Sequence, residues 1–273
     1  MKPKFTEFLT RPRLASMIQE PTAADAIARI RNSAYDGAEV IALHLEFLGK
    51  EFHNHKDLRT IFAYAGGRPL YTMNYRNVNR PGVSDEELVA GQLIAAEAGA
   101  SMVDVMGDIF DPSPMQLSRN PDAIDRQKRM VDQFHERDCE VMFSSHTWAF
   151  MTAEETLEHC DMLIRRGADM VKIAMCAFKE EQMDEVYRTT IMMKRELKVP
   201  FLHVCMGQYG KVHRMISPFL GSSLALCMQQ YIPVCNKEQP ILRAAKAVFD
   251  NVDCDPARND QLGCYEFMPD ELL

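Results

Sequence analysis

No stretch of this chain approaches the ~20 consecutive apolar residues that a helix needs to cross a bilayer, and the opening MKPKFTEFLTRPRL holds no continuous apolar core of a secretory signal. A cytoplasmic protein with no membrane partner is expected. Excess positive charge is also missing: 31 Lys and Arg stand against 39 Asp and Glu, a formal net charge of −8, and the basic stretches RPR and RRG are short. Nucleic acid is therefore not an expected partner. Cysteine is present but never as a Cys-x-x-Cys pair; Cys139, Cys160, Cys176, Cys205, Cys227 and Cys235 sit singly in apolar or helical surroundings. Reduced, mostly buried thiols are expected rather than a disulfide framework. No Gly-x-Gly-x-x-Gly or Walker loop occurs, which removes the usual nucleotide sites of a doubly wound α/β fold.

What the chain does have is regular alternation. Apolar runs of strand length recur at 13–19, 38–45, 68–74, 101–106, 139–145, 169–175, 200–206 and, more weakly, 221–227. Between them lie segments of helical spacing such as SDEELVAGQLIAAEAGA and TAEETLEHCDMLIRRGA. Ser84 before DEE and Thr152 three residues before Glu155 read as helix starts, and Gly99 and Gly167 as stops. Strand alternating with amphipathic helix means a parallel sheet, and eight strands close a barrel. The expected fold is a single α/β domain, a (β/α)8 TIM barrel over residues 1–250, followed by a polar, acidic tail at 251–273.

In such a barrel chemistry sits at the C-terminal ends of the strands. Two apolar runs end there on functional side chains: FSSHTWAF on His146 and ADMVKIAMC on Lys172. Period-two alternation puts Met142, Ser144 and His146 on one face, Met170, Lys172 and Ala174 on another, and Ala42, His44 and Glu46 on a third, all toward the barrel axis. A lysine with apolar flanks can serve as a neutral amine that attacks a carbonyl, or can be a structural amine paired with an acid such as Asp104. Beside it, His146 would be the general acid/base.

These runs, SSHTWAFMTAEE, GADMVKIA, PFLHVCMGQYGKVHRMISPFLGSS and PVCNKEQP, resemble in order and spacing the second half of the type I 3-dehydroquinate dehydratases. The likeness is good over 139–240 and weaker over 30–110. It implies a lyase without cofactor, a Schiff base between Lys172 and a ketone, proton transfer by His146, and loss of water. By position it also implies Arg214 for a substrate carboxylate, Gln239 on a closing loop, Met206 beside the substrate, and a homodimer.

The chain departs from the family where substrate is held. Ala42-Leu43-His44 stands for Glu-x-Arg on the second strand, Asn74 for an arginine after the third, Met106 for an acid after Asp104, and Cys235 for a loop serine. NVNRPG leaves no glutamate to orient His146. Substrate contacts are therefore expected from Arg214, Gln239, Met206, His44, Glu46, Asn74 and Cys235, with Arg76 or Arg80 replacing a lost cation and Glu46 or Asp108 a lost acid. Ala42 and Met106 are expected to make the pocket larger and less polar. The expected reaction is β-elimination on a small-molecule, anionic ketone, bulkier and less hydroxylated than 3-dehydroquinate. The alternatives are 3-dehydroquinate dehydratase itself, a non-catalytic binding paralogue, and a metal-dependent barrel drawing on His44, Glu46, Asp104, Asp108 and His146.

Overall fold

The computed structural model describes residues 4–77, 81–233 and 237–252. Cys235, Arg80 and the tail from 253 onward lie outside the described residues. All eight apolar runs form strands: β1 (Arg13–Ile18), β2 (Val40–His44), β3 (Leu70–Met73), β4 (Met102–Met106), β5 (Glu140–His146), β6 (Met170–Cys176), β7 (Phe201–Met206) and β8 (Leu224–Cys227). Every neighbouring pair is parallel, in the order β7-β6-β5-β4-β3-β2-β1-β8. The amide of Ser223 donates to Phe201 O at 2.8 Å, which joins the two ends of the sheet into a ring. After a short α1 (Phe5–Phe8), the helices α2 (Ala23–Tyr35), α3 (His55–Ala63), α4 (Asp85–Ala98), α5 (Pro121–His135), α6 (Ala153–Ile164), α7 (Met183–Glu196), α8 (Gly210–Leu220) and α9 (Leu242–Asn251) alternate with the strands. No helix among the described residues is long and apolar enough to cross a membrane.

The helix boundaries follow from local chemistry. Ser84 Oγ accepts from Glu87 N while the Glu87 carboxylate accepts from Ser84 N, and Thr152 and Glu155 do the same at α6, so two capping boxes satisfy donors a helix start leaves open. Gly99 ends α4 at φ +123°, a backbone that a side chain would strain.

Strand residues on one face pack into the barrel axis, where Met17, Tyr71, Met73, Met102, Met142, Met170, Leu202 and Leu226 form a buried cluster. The other faces pack under the helices in two further clusters. Phe5 of α1 joins the axial cluster edge-on to Tyr71, 5.7 Å between ring centres, and Thr6 Oγ1 donates to Glu140 Oε1 at 2.5 Å. The N-terminal end of the barrel is thus stoppered, and the opposite end is left for chemistry. Cys139, Cys160, Cys176, Cys205 and Cys227 are free and buried, and burial pushes the Cys160 and Cys227 thiols up to about 12, which makes them packing groups rather than nucleophiles.

Three histidines are buried in this frame as neutral rings. Cys205 N donates to His213 Nδ1 at 3.1 Å, so His213 Nε2 carries the proton toward Thr190 Oγ1 (3.1 Å), and Thr190 Oγ1 also meets His203 Nδ1 at 2.8 Å. His159 Nε2 meets Ser145 Oγ at 2.8 Å. Burial lowers His203 to about 3, lowers His159 to about 4, and holds His213 well below the usual imidazole range. Each folded value lies below the unfolded ~6.5, so the stability they contribute is complete above ~6.5 and is lost as pH falls, at roughly 1.4 kcal/mol per pH unit for each ring. His135, raised by Asp169, has the opposite sign but is partly exposed and contributes little. Urea midpoints should be level between pH 7.5 and 6.5 and fall steeply toward pH 5. A midpoint that stays level to pH 5 would show that these rings are not held neutral.

Candidate active site

At the C-terminal ends of the strands lies a cavity of about 390 Å³, lined by Lys172, His146, Tyr75, Arg214, His44, Glu46, Met206 and Gln239 among others. A larger depression of about 580 Å³ beside α6 holds none of these groups. The β5–β6 register pairs Ser144 with Lys172 and His146 with Ala174, so Lys172 rises one layer below His146 on the adjacent strand.

Lys172 is 4% exposed, and its apolar flanks do not leave the amine alone. Nζ donates to Tyr75 Oη at 2.9 Å and to Asp104 Oδ2 at 3.2 Å. The Tyr75 hydroxyl donates in turn to Asp104 Oδ2 and accepts from Ser144 Oγ at 3.3 Å. Burial, then the Asp104 carboxylate, pushes the Tyr75 phenol well above its ordinary value, so it remains a neutral donor. The Tyr75 ring stands edge-on to His146, with 5.2 Å between centres. Burial first, then Lys172, Arg214 and His44, holds His146 well below the usual imidazole range, so the ring is neutral at neutral pH and keeps a lone pair that can accept a proton.

On the opposite wall Gln19 Nε2 donates to His44 Nε2 at 3.4 Å, and His44 Nδ1 donates to Glu46 Oε1 at 2.7 Å. Glu46 Oε2, Gln239 Oε1 and Arg214 Nε are buried with no hydrogen-bond partner among the described residues. Open buried acceptors and donors of this kind are the places a ligand satisfies. Arg214 Nη2 lies 3.5 Å from Glu238 Oε2, and burial outweighs that carboxylate in setting the guanidinium below its ordinary value.

With this geometry in place, the family model for type I 3-dehydroquinase matches residues 14–230. The chain belongs to the type I 3-dehydroquinase family. It is 28% identical over 119 residues (43% of this chain, 44% of the relative) to the 3-dehydroquinate dehydratase of Alkaliphilus oremlandii. It is 22% identical over 150 residues (55% and 53%) to that of Aromatoleum aromaticum. The aligned stretches thus span about half the length of these curated relatives. The type I 3-dehydroquinate dehydratase of Clostridium difficile, crystallised with covalently modified comenic acid, superposes with a TM-score of 0.73 at 18% identity, covering 88% of this chain and 92% of that one, a likeness of fold.

Within this family member the cavity brings together Lys172, His146, Arg214, Gln239, Met206, His44 and Glu46, but not Asn74. Odd-numbered residues of β3 face the axis, so Tyr71, Met73 and then Tyr75 point inward while Asn74 turns to α4, where Nδ2 donates to Leu88 O at 2.9 Å. Alternation thus corrects the substrate role expected for Asn74. Arg76 reaches the cavity rim but is bound to Asp85 (2.6 Å) and Asp108 (2.7 Å) and offers no spare charge. Asp108 is fully used by Arg76 and by Ser113 N at 2.7 Å, so it is not the replacement acid. Ala42 lies deeper in the axial cluster and Met106 Sδ is buried 3.8 Å from Arg76 Nη1, and neither lines the cavity. Among the described residues no three His, Cys, Asp or Glu side chains converge as a metal set.

Tyr75, Gln116 and Trp148 escaped the sequence reading. The β3 alternation that places Asn74 outward places Tyr75 inward, and this signal was present in LYTMNY. Gln116 sits on an irregular loop 30 residues from His146, and nothing local in the sequence announces the contact. Trp148, the single tryptophan, stands at φ +50° on the cavity rim.

Proposed function

We propose that this chain is a Schiff-base lyase that eliminates a β-oxygen leaving group from a small anionic ketone, with a substrate other than 3-dehydroquinate. The observation that carries the reading is the Lys172 amine, buried in a hydrogen-bonded set with Tyr75 and Asp104 and one layer below His146 in a cavity that also presents Arg214. Family membership supports the same chemistry.

Attack on a carbonyl requires the free amine, and Asp104, directly or through Tyr75, is placed to take its proton. Lys172 Nζ then bonds to the carbonyl carbon, and the carbinolamine loses water to give a protonated imine. His146 Nε2 removes a proton from the carbon next to the imine carbon, and the electron pair moves onto the imine nitrogen as an enamine. The enamine expels the β-oxygen, which takes the proton from His146 and leaves as water. Hydrolysis of the imine returns Lys172 and releases the unsaturated ketone. Arg214 would hold the anionic group, while Glu46, oriented by His44, would accept from a hydroxyl of the substrate; Met206 and Gln239 would border it.

Substrate with borohydride should fix mass on the peptide carrying Lys172, and labelling only at Lys179 or Lys211 would refute the assignment. His146→Ala should still be trapped at Lys172 yet turn over ~10²–10⁴-fold more slowly, as loss of a general acid/base does. Full turnover by that variant would remove His146 from the mechanism.

A further inference from the structure

We propose that Gln116 is the positioning residue of His146: its amide oxygen fixes the ring as the Nδ1–H tautomer and leaves Nε2 to exchange protons with substrate. The inference rests on the proposed function for what Nε2 does, but not for the state of the ring. Gln116 Oε1 lies 2.7 Å from His146 N and 3.0 Å from His146 Nδ1. A backbone N–H can only donate, so the atom facing it must be the amide oxygen and not the amide nitrogen. The same oxygen then obliges Nδ1 to carry a proton. No hydrogen bond among the described residues occupies Nε2, and the ring lines the cavity.

The loop is built to hold this one side chain. Gln116 takes φ +45°, a conformation that disfavours residues other than glycine. Its carbonyl accepts from Ser145 Oγ at 2.7 Å, and Ser145 Oγ meets His159 Nε2 at 2.8 Å. A Cβ on Gly107 would stand 2.6 Å from Gln116 O, so this approach needs glycine there. The buried Arg166 guanidinium donates to Gly107 O at 2.8 Å and Ser118 O at 2.5 Å, and Gln127 Nε2 donates to Gly107 O at 3.2 Å. Two buried polar side chains are thus spent on strapping one irregular loop.

A neutral partner also sets the charge of the ring. Lys172 from β6, Arg214 from α8 and His44 from β2 face His146 with positive or ionisable groups, and Tyr75 faces it edge-on as a neutral phenol. An amide orients the imidazole without adding the anion that would favour its protonation.

The test is a pH titration of the full chain with ¹⁵N-labelled histidine, the His146 signals assigned through His146→Ala. Wild type should show a neutral Nδ1–H ring to below pH 6. Gln116→Gly, which suits the left-handed backbone and so spares the fold, should give a mixture of tautomers. Gln116→Glu should raise the titration midpoint of the ring by about one pH unit or more. An unchanged tautomer in the first variant, or an unchanged midpoint in the second, would overturn the proposal. In turnover, Gln116→Gly should lower kcat at least tenfold with little change in KM while borohydride still labels Lys172; an unchanged kcat would also overturn it. Absence of any label in wild type would instead defeat the imine mechanism, and the ring titration would still decide the role of Gln116.

Discussion

Lys172→Met should lose turnover by four powers of ten or more, about the scale on which removing a covalent nucleophile acts, while ligand binding remains visible through Trp148 at the cavity rim. The same substitution should also cost stability, which a catalytic role alone would not require. Asp104 is 0% exposed, and it loses its cation while Oδ1 already has no partner among the described residues. Breaking a buried pair by removing one member typically costs ~3–5 kcal/mol, and the remaining Tyr75 hydroxyl should keep the loss toward the lower end of that range. At ~2–4 °C per kcal/mol for a domain of this size, the melting temperature should fall by roughly 6–15 °C. Lys172→Met with Asp104→Asn should recover much of that fall, because the amide removes the unpaired charge, and should remain inactive. If the double variant melts as low as the single one, the Lys172–Asp104 pair is not what the single variant broke.

The barrel was legible because its signals are repeated and local. Eight apolar runs, two capping boxes and a stop glycine each follow from nearest-neighbour chemistry, and each lies where alternation and helix chemistry require. The inward register was legible wherever period-two alternation was applied: Ala42 and His44 on β2, Met142 and His146 on β5, Met170 and Lys172 on β6 all face the axis or the cavity. On β3 the family likeness points to Asn74 while the pleat points to Tyr75, and Tyr75 is the one that lines the cavity. Asp104 was legible as a partner for Lys172, since both point inward from strands separated only by β5, and the structure brings Nζ to 3.2 Å from Oδ2. Gln116 was not legible at all. Its role depends on a left-handed backbone, an absent side chain at Gly107 and straps from Arg166 and Gln127, four conditions that no periodicity encodes. Residue types that suit a ligand shell likewise do not show whether a side chain is already engaged, as Asp108 is by Arg76.

Turnover of 3-dehydroquinate itself should be weak, with kcat/KM below the ~10⁴ M⁻¹s⁻¹ at which ordinary enzymes handle their own substrates. Two guanidiniums expected from the likeness are absent, replaced by His44 and Asn74; His44 is committed to Glu46 and Asn74 faces α4. Arg76, the obvious substitute, is neutralised by two carboxylates. Each charge-assisted contact contributes ~1.5–3 kcal/mol, so losing two removes about two to four powers of ten in transition-state binding. What the described wall offers in exchange is an open Glu46 oxygen and the open Nε of Arg214. On the proposed function, the expected substrate is a ketone with an anionic group for Arg214 and a hydroxyl donor for Glu46, since an anion placed near Glu46 would be repelled. Arg214→Ala should therefore weaken an anionic ligand, read by Trp148 fluorescence, by tenfold or more. Glu46→Gln should relax the penalty on a second anion and admit a dianionic ketone more readily than the wild type does. A wild-type kcat/KM on 3-dehydroquinate at or above ~10⁴ M⁻¹s⁻¹ would mean that the lost guanidiniums are compensated and that the chain acts on its family's own substrate.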